Sequence, residues 1–310
     1  MPSRRIPILK TDVSRAVLLD ELILIAIRGI GLGAVYALVA LGLNVIYNAT
    51  HILNFAQGST FVLGAMFGIY VSSTAYGTAA WFLMMPVAGL LIAAIMALQG
   101  WITLWPLRES TQQHSWLITT LSFSIVISAL LVLTQGPWSS QYSSSVPYVM
   151  IGFMRTPVPF LVMPVMALAW WLILRLFSTY TLTGLALSAL SQDLEAAAAA
   201  GLKIKRLQIL SFAISGLIAG TAGYAAAPII SVGPDDGLRY VVAGFVAAVV
   251  GGMGSMFGAL VSGAVIGCVA MFAVYTLGGK YEGFVSLVIL TSVLFLRPSG
   301  IFGSRATRRV

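Results

Sequence analysis

The sequence predicts an all-α, polytopic helical membrane protein with about eight spanning helices, eight or nine by count. Three observations predict it. The chain is 59% hydrophobic and only 8% charged, against about 25% charged in a soluble domain. Its apolar residues fall into recurring runs long enough to cross a bilayer, joined by short polar connections. Its positive charge is concentrated at the termini and in those connections. No polar stretch is long enough to fold alone, so residues 1–310 read as a single transmembrane domain. The net charge of +8 is accounted for by orientation and by anionic lipid headgroups rather than by nucleic acid. The single cysteine, Cys268, excludes an intramolecular disulfide and a cysteine metal cluster. No cleavable signal peptide with a clear small-residue site is expected.

Residues 1–15 carry Arg4, Arg5, Lys10 and Arg15 and are expected at the cytoplasmic surface. Residues 16–28 are apolar but hold Asp20, Glu21 and Arg28, which fits an interfacial helix or a slanted approach to the membrane. Residues 29–47 form a clean span. Within it Gly29, Gly33 and Ala37 recur every four residues, giving a small face for close helix packing. Asn44 is an amide inside that span that should face protein or water, which makes it a candidate for a substrate pathway. Residues 48–60, NATHILNFAQGST, are polar and turn-prone between apolar helices. Broken backbone at membrane depth is tolerated only where it is buried in protein or lines a cavity. Asn54 and Gln57 are therefore candidates for a substrate pathway, beside the plainer reading of a polar loop.

Residues 60–76 and 79–105 are apolar, the second bracketed by Trp81, Trp101 and Trp105 as at two membrane interfaces. The loop 106–114 carries Arg108 and Glu109. His51 and His114 lie in different loops with no acidic or cysteine cluster beside them, so no metal site is expected. Residues 115–135 are rich in hydroxyls, most of which can bond back to their own helix. Thr120 and Ser124 share one face, which could offer hydrogen bonds to a polar ligand. Residues 136–157 are the longest polar loop, low in charge and suited to the external side. Residues 158–180 span again.

The stretch 184–202, GLALSALSQDLEAAAAAGL, reads as a capped, alanine-rich helix between two spans. Ser191 can cap it, Asp193 and Glu195 suit the first turn, and Gly201 supplies a stop. Lys203, Lys205 and Arg206 follow at once, which puts this loop in the cytoplasm. A short connector of this kind either just joins two spans or docks on a partner. Residues 207–231 span, and the loop 231–239 carries Asp235, Asp236 and Arg239, whose acidic residues fit an external position or the docking of a soluble partner as well as no particular role. Apolar segments 240–252 and 255–277 are split by Gly251, Gly252 and Gly254, and Gly258 extends a small-residue face. No Gly-Lys-Ser/Thr follows, so this is not a phosphate loop. Residues 281–296 make the last span, and the basic tail 297–310 is expected in the cytoplasm. Counting spans back from that tail leaves residue 29 outside, in conflict with the basic N-terminus. An oblique crossing by residues 16–28 or a re-entrant break at 48–60 would each resolve it.

Four separated stretches resemble one family, the branched-chain amino-acid ABC permeases. They are Asn54-Phe55-Ala56-Gln57-Gly58, residues 191–223 from SQDLEAAAAAGLKIKR onward, GGMGSMFGALVSGAVIG from Gly251, and Arg297 to Gly303. The chain departs from the family pattern at Gln57, usually histidine, at Ser59, often acidic, and at Leu185 and Ser188, where arginines are common. The resemblance implies that 184–202 is a coupling loop, with Gln192, Asp193, Glu195, Ala196, Gly201 and Lys203 at a groove on a cytoplasmic ATPase. It implies a bacterial inner-membrane importer in which this chain pairs with a second homologous permease. Two ATP-binding subunits lie beneath, and a periplasmic or lipid-anchored binding protein delivers substrate. ATP and magnesium then belong to the partners, and this chain, which has no Walker A sequence, binds no cofactor and is not an enzyme. Leucine, isoleucine and valine are the implied substrates. Urea, short amides and other amino acids are the alternatives within the same architecture.

Two other classes compete. A self-contained secondary transporter needs coupling charges within its spans, and the candidates are Asp20, Glu21 and Arg28, all near one end. A membrane-embedded enzyme would show His-Glu-x-x-His, paired intramembrane aspartates or Gly-x-Ser-x-Gly, and the chain has none of these. Copurification with a separate ATPase separates the importer from both.

Overall fold

The computed structural model describes residues 9–73, 78–104, 115–140, 142, 148–151, 154–297 and 300–302. The expected loop 106–114, residues 1–8 of the basic N-terminus and residues 303–310 of the tail lie outside them. The helices are α1 (Leu9–Thr50), α2 (Ala56–Ser73), α3 (Thr78–Leu104), α4 (Ser115–Gln135), α5 (Pro159–Tyr180), α6 (Leu182–Gln192), α7 (Leu194–Ala199), α8 (Ile204–Ala226), α9 (Gly237–Gly251), α10 (Met256–Leu277) and α11 (Glu282–Leu296). The chain is a helical, multi-pass membrane protein. Among the described residues six helices are long and apolar enough to cross: the Glu21–Thr50 part of α1, then α3, α4, α5, α8 and α10. The apolar helices α2, α9 and α11 are shorter.

One feature interrupts the helical pattern. Within the polar loop 136–157, β1 (Tyr148–Ile151) pairs antiparallel with β2 (Met154–Pro157). The hairpin marks one end of the molecule, where Arg28 donates to the Arg155 carbonyl at 3.2 Å. Ser140 and Val232 bridge two loops at the same end. The opposite end carries α6 and α7, which pack on the end of α1 through Leu190 and Ala197 against Ala49.

α1 corrects two expectations. It is unbroken from Leu9 to Thr50, so residues 16–28 are neither a separate interfacial helix nor a separate crossing. The 30 residues from Glu21 to Thr50 span about 45 Å at 1.5 Å each, more than the ~30 Å hydrocarbon core. Arg28 lies at the hairpin end and Ala49 at the α6–α7 end. The start of α1 therefore emerges opposite α6–α7, whereas basic charge alone had placed residues 1–15 on the same side. Helix direction prevails because nothing in α1 turns the chain back.

The helices form two halves of inverted direction. α1 packs along α10 as α8 packs along α3; α2 lies on α8 as α9 lies on α1; α4 covers α2 as α11 covers α9. α1 runs from the hairpin end to the α6–α7 end, and α8 runs the other way. The halves α1–α4 and α8–α11 are thus related by a pseudo-two-fold axis in the membrane plane, with α5–α7 as the link. Small residues permit the contacts. A methyl group at Gly29 would sit 2.6 Å from Cys268 Cα, and one at Gly33 would be 2.8 Å from Ala264 Cα. In a lipid environment close backbone approach of this kind replaces the hydrophobic drive as the source of helix association.

Candidate functional site

The two short helices α2 and α9 begin inside the protein rather than at its ends. α1 finishes at Thr50, His51 takes a φ of 54°, and residues 52–55 run back inward. α2 then starts beside the middle of α8, where Gln57 meets Ser215, and runs parallel to α8 toward the hairpin end, as Gly64 against Gly220 and Gly68 against Tyr224 show. On the other side, residues 227–236 run inward from the hairpin end. α9 then starts against α2, with Gly58 on the Gly237 carbonyl oxygen and Gly237 on Ser59. The break expected at 48–60 is therefore shorter, at 51–55, and is re-entrant only part-way. It does not reverse the count of crossings.

Buried amides and hydroxyls hold this junction. The side chains of Asn54 and Gln99 exchange hydrogen bonds, Gln99 Nε2 to Asn54 Oδ1 at 2.7 Å and Asn54 Nδ2 to Gln99 Oε1 at 3.2 Å. Asn54 Oδ1 also accepts from Ala56 N–H and so starts α2. Gln57 Nε2 donates to the Ser215 carbonyl at 3.4 Å, and Ser215 Oγ lies 2.9 Å from the Gly42 carbonyl and 2.7 Å from Gln57 Oε1. Ser59 and Ser124 hydroxyls are 2.7 Å apart. Thr120 bonds back to the Leu117 carbonyl. Asn44 clamps the turn between α9 and α10: its Nδ2 donates to Ser255 O and its Oδ1 accepts from Gly254 N–H, both at 3.1 Å. Asn48 donates to the Gly254 carbonyl beside it. In that turn Gly252 and Gly254 have φ of 94° and 84°, which residues with a Cβ rarely adopt. Gly251 and Gly258 meet backbone to backbone across it. In this conformation Asn44, Asn54, Gln57 and Thr120 are buried among protein groups.

Gln99, Asn48 and Ser215 were not singled out from sequence as partners of this network. Gln99 carried a usable signal, since an amide inside an otherwise apolar spanning helix, here in its last two turns, must face a partner. The pair gives a direct expectation. Gln99→Leu leaves the Asn54 amide buried and short of a partner, which costs about 1–3 kcal/mol. Thermal unfolding in detergent should fall for Gln99→Leu and for Asn54→Leu, and the double variant should lose less than the sum. Additive losses would show that the two amides act separately.

At the α6–α7 end the structure redraws the expected single helix. α6 ends at Gln192 and α7 begins at Leu194. Asp193 is the cap of α7, accepting from the N–H groups of Glu195 and Ala196 at 2.9 Å each. Ser191 does not cap; its hydroxyl donates to the Ser188 carbonyl at 2.8 Å inside α6. The reason is packing, because burial of Leu190 against Ala49 carries α6 past Ser191 before the chain turns. Gly201, with φ of 81°, ends the segment. Ala197 faces inward, while Gln192, Asp193, Leu194, Glu195, Ala196, Gly201 and Lys203 are exposed. The result is an exposed step that carries both signs of charge and is anchored to the bundle through Leu190 and Ala197.

No group of three or more histidine, cysteine or acidic side chains able to hold a metal occurs among the described residues. The family described as branched-chain amino acid transport system / permease component matches residues 25–294. The chain is 29% identical to the high-affinity branched-chain amino acid transport system permease protein LivH of Salmonella typhimurium, over 91% of this chain and 96% of that protein. LivH of Escherichia coli K12 is 28% identical over the same shares. BraD of Pseudomonas aeruginosa, also named as a high-affinity branched-chain amino acid permease protein, is 27% identical over 92% and 96%. No solved structure matches the chain significantly.

Proposed function

Since this chain belongs to the family of branched-chain amino acid transport permeases, we propose that it is the membrane-spanning subunit of an ABC importer carrying leucine, isoleucine and valine across a bacterial inner membrane. The observation that carries the reading is the match over nearly the whole chain, with the exposed α6–α7 step at one end of the bundle. That step is the coupling segment, and its end of the molecule faces the cytoplasm together with the basic tail. ATP is bound and hydrolysed by two separate cytoplasmic subunits. A second permease completes the pore, and a binding protein delivers the amino acid at the hairpin end. The inverted halves support alternating access, because a junction of two half-helices at mid-depth can rock between opening to either side. The buried amides Asn54 and Gln57 and the half-buried Ser124 hydroxyl set the rest position of that junction and Asn44 that of the α9–α10 turn, while Thr120 is buried but bonds within its own helix.

The experiment is uptake of radiolabelled leucine and of radiolabelled urea in a strain deleted for this gene, with and without complementation. Restoration of leucine uptake alone is expected. Restoration of urea uptake with leucine unaffected would retain the importer and replace its substrate.

A further inference from the structure

A cavity of about 380 Å³ opens between α1, the start of α9 and α11. Its size is at the small end of ligand pockets, suited to a single small metabolite rather than to a peptide or cofactor. Its depth follows from Tyr36 on its wall. Tyr36 lies eight residues, about 12 Å along the helix, beyond Arg28 at the hairpin end. Asp235 precedes the start of α9 while Arg239, Val242 and Ala243 lie beyond it, so the cavity flanks the mid-depth junction of α2 and α9.

Its lining has two kinds of chemistry. Asp235 and Arg239 supply a carboxylate and a guanidinium on the turn into α9 and its first turn, and both are exposed. Leu238, Val242 and Leu287 supply apolar surface beside them. A second cavity, of about 300 Å³, lies between α2, α3 and α4, and its polar lining is Tyr70, Thr134 and Gln135 with no charge. Of these two hollows only the one between α1, α9 and α11 carries opposite charges. A free amino acid has a carboxylate and an ammonium on adjacent atoms with its side chain projecting away. It is matched by one cavity whose wall carries an acid, a base and apolar residues, and a lipid tail is not.

Resting on the substrate reading above, we propose that this cavity receives the delivered amino acid as a zwitterion. Arg239 holds its carboxylate, Asp235 holds its ammonium, and Leu238, Val242 and Leu287 take the branched side chain. Arginine suits the first task because its planar fork can grip a carboxylate through two parallel hydrogen bonds. The position then gives this permease a selectivity step of its own, after the binding protein and level with the junction.

The test uses the whole transporter in proteoliposomes with its binding protein. Leucine uptake by the unaltered complex decides the substrate reading independently of the variants. With that uptake present, Arg239→Gln is expected to lower it at least tenfold, while assembly and stimulation of ATPase activity by the liganded binding protein stay within twofold. Arg239→Lys should recover part of the loss, and Asp235→Asn should behave as Arg239→Gln does. Val242→Phe narrows the apolar wall and should shift the leucine-to-valine uptake ratio at least fivefold toward valine. Unchanged uptake in Arg239→Gln overturns the proposal. So does a loss matched by loss of ATPase stimulation, which would make Arg239 a contact for the binding protein. Should Arg239→Gln not assemble, the uptake ratio of Val242→Phe decides, and an unaltered ratio overturns the proposal.

Discussion

Gly58→Val should leave almost no folded permease in detergent extracts. Gly58 opens the first turn of α2 directly against the Gly237 carbonyl at the start of α9, and a Cβ there would also lie 2.9 Å from the Val241 side chain. Overpacking usually costs about 1–3 kcal/mol because side chains can shift. Here the opposing atom is backbone at the origin of a second helix, and neither helix can retreat without breaking the network around Gln57 and Ser215. The measurement is the folded fraction by size-exclusion chromatography and its thermal midpoint. Gly279→Ala is the control, since a methyl there meets nothing within 4 Å. A Gly58→Val variant as stable as the Gly279→Ala variant would mean that α2 and α9 do not meet this closely.

Gly201→Pro is expected to insert normally and lose its ATPase subunits. The residue has φ of 81°, and proline is fixed near −65°. Its N–H, which donates to the Ala198 carbonyl at 2.9 Å, would also be removed. The chain leaving α7 must then take another course and re-aim the exposed step of Leu194, Glu195 and Ala196. Insertion is spared because Gly201 lies outside the spans with nothing within 4 Å of a Cβ position. Glu195→Arg should give the same loss by charge reversal. Asp193→Ala should give a partial one, because losing a cap costs about 1 kcal/mol. Pull-down of the ATPase subunits from solubilised membranes reads all three. Full recovery with Gly201→Pro would falsify the assignment of this step as the docking element.

The elements set by local pattern were legible in the sequence. α4 spans Ser115–Gln135, the bounds its apolar run indicates, and α10 and α11 begin within a residue of expectation. What local pattern does not contain is depth. An apolar helix that starts at mid-membrane looks the same in sequence as one that starts at the surface. The start of α2 is decided by Gly58 meeting Gly237, 179 positions further along the chain. The start of α9 at Gly237, three residues before the expected 240, was hidden because Asp236 and Gly237 read as loop. At α7 both Ser191 and Asp193 are good capping residues, and only the burial of Leu190 on Ala49 chooses between them. Asp235 and Arg239 carried no readable role until α11 closed a wall around them.

The unbroken course of α1 has a mechanical consequence. Between Arg28 at the hairpin and Ala49 under α7 it is a stiff rod of about 32 Å. It touches α5, α6, α8, α9 and α10 along its length. A rod of that length pivoting by ~5° near one end sweeps its far end by about 3 Å, roughly two residues of helical rise. Tyr36, on the wall of the Asp235–Arg239 cavity, rides near the middle of that rod. A push delivered at Ala49 therefore moves the cavity wall and the hairpin together, with the ratio of their displacements set by where along α1 the fulcrum lies.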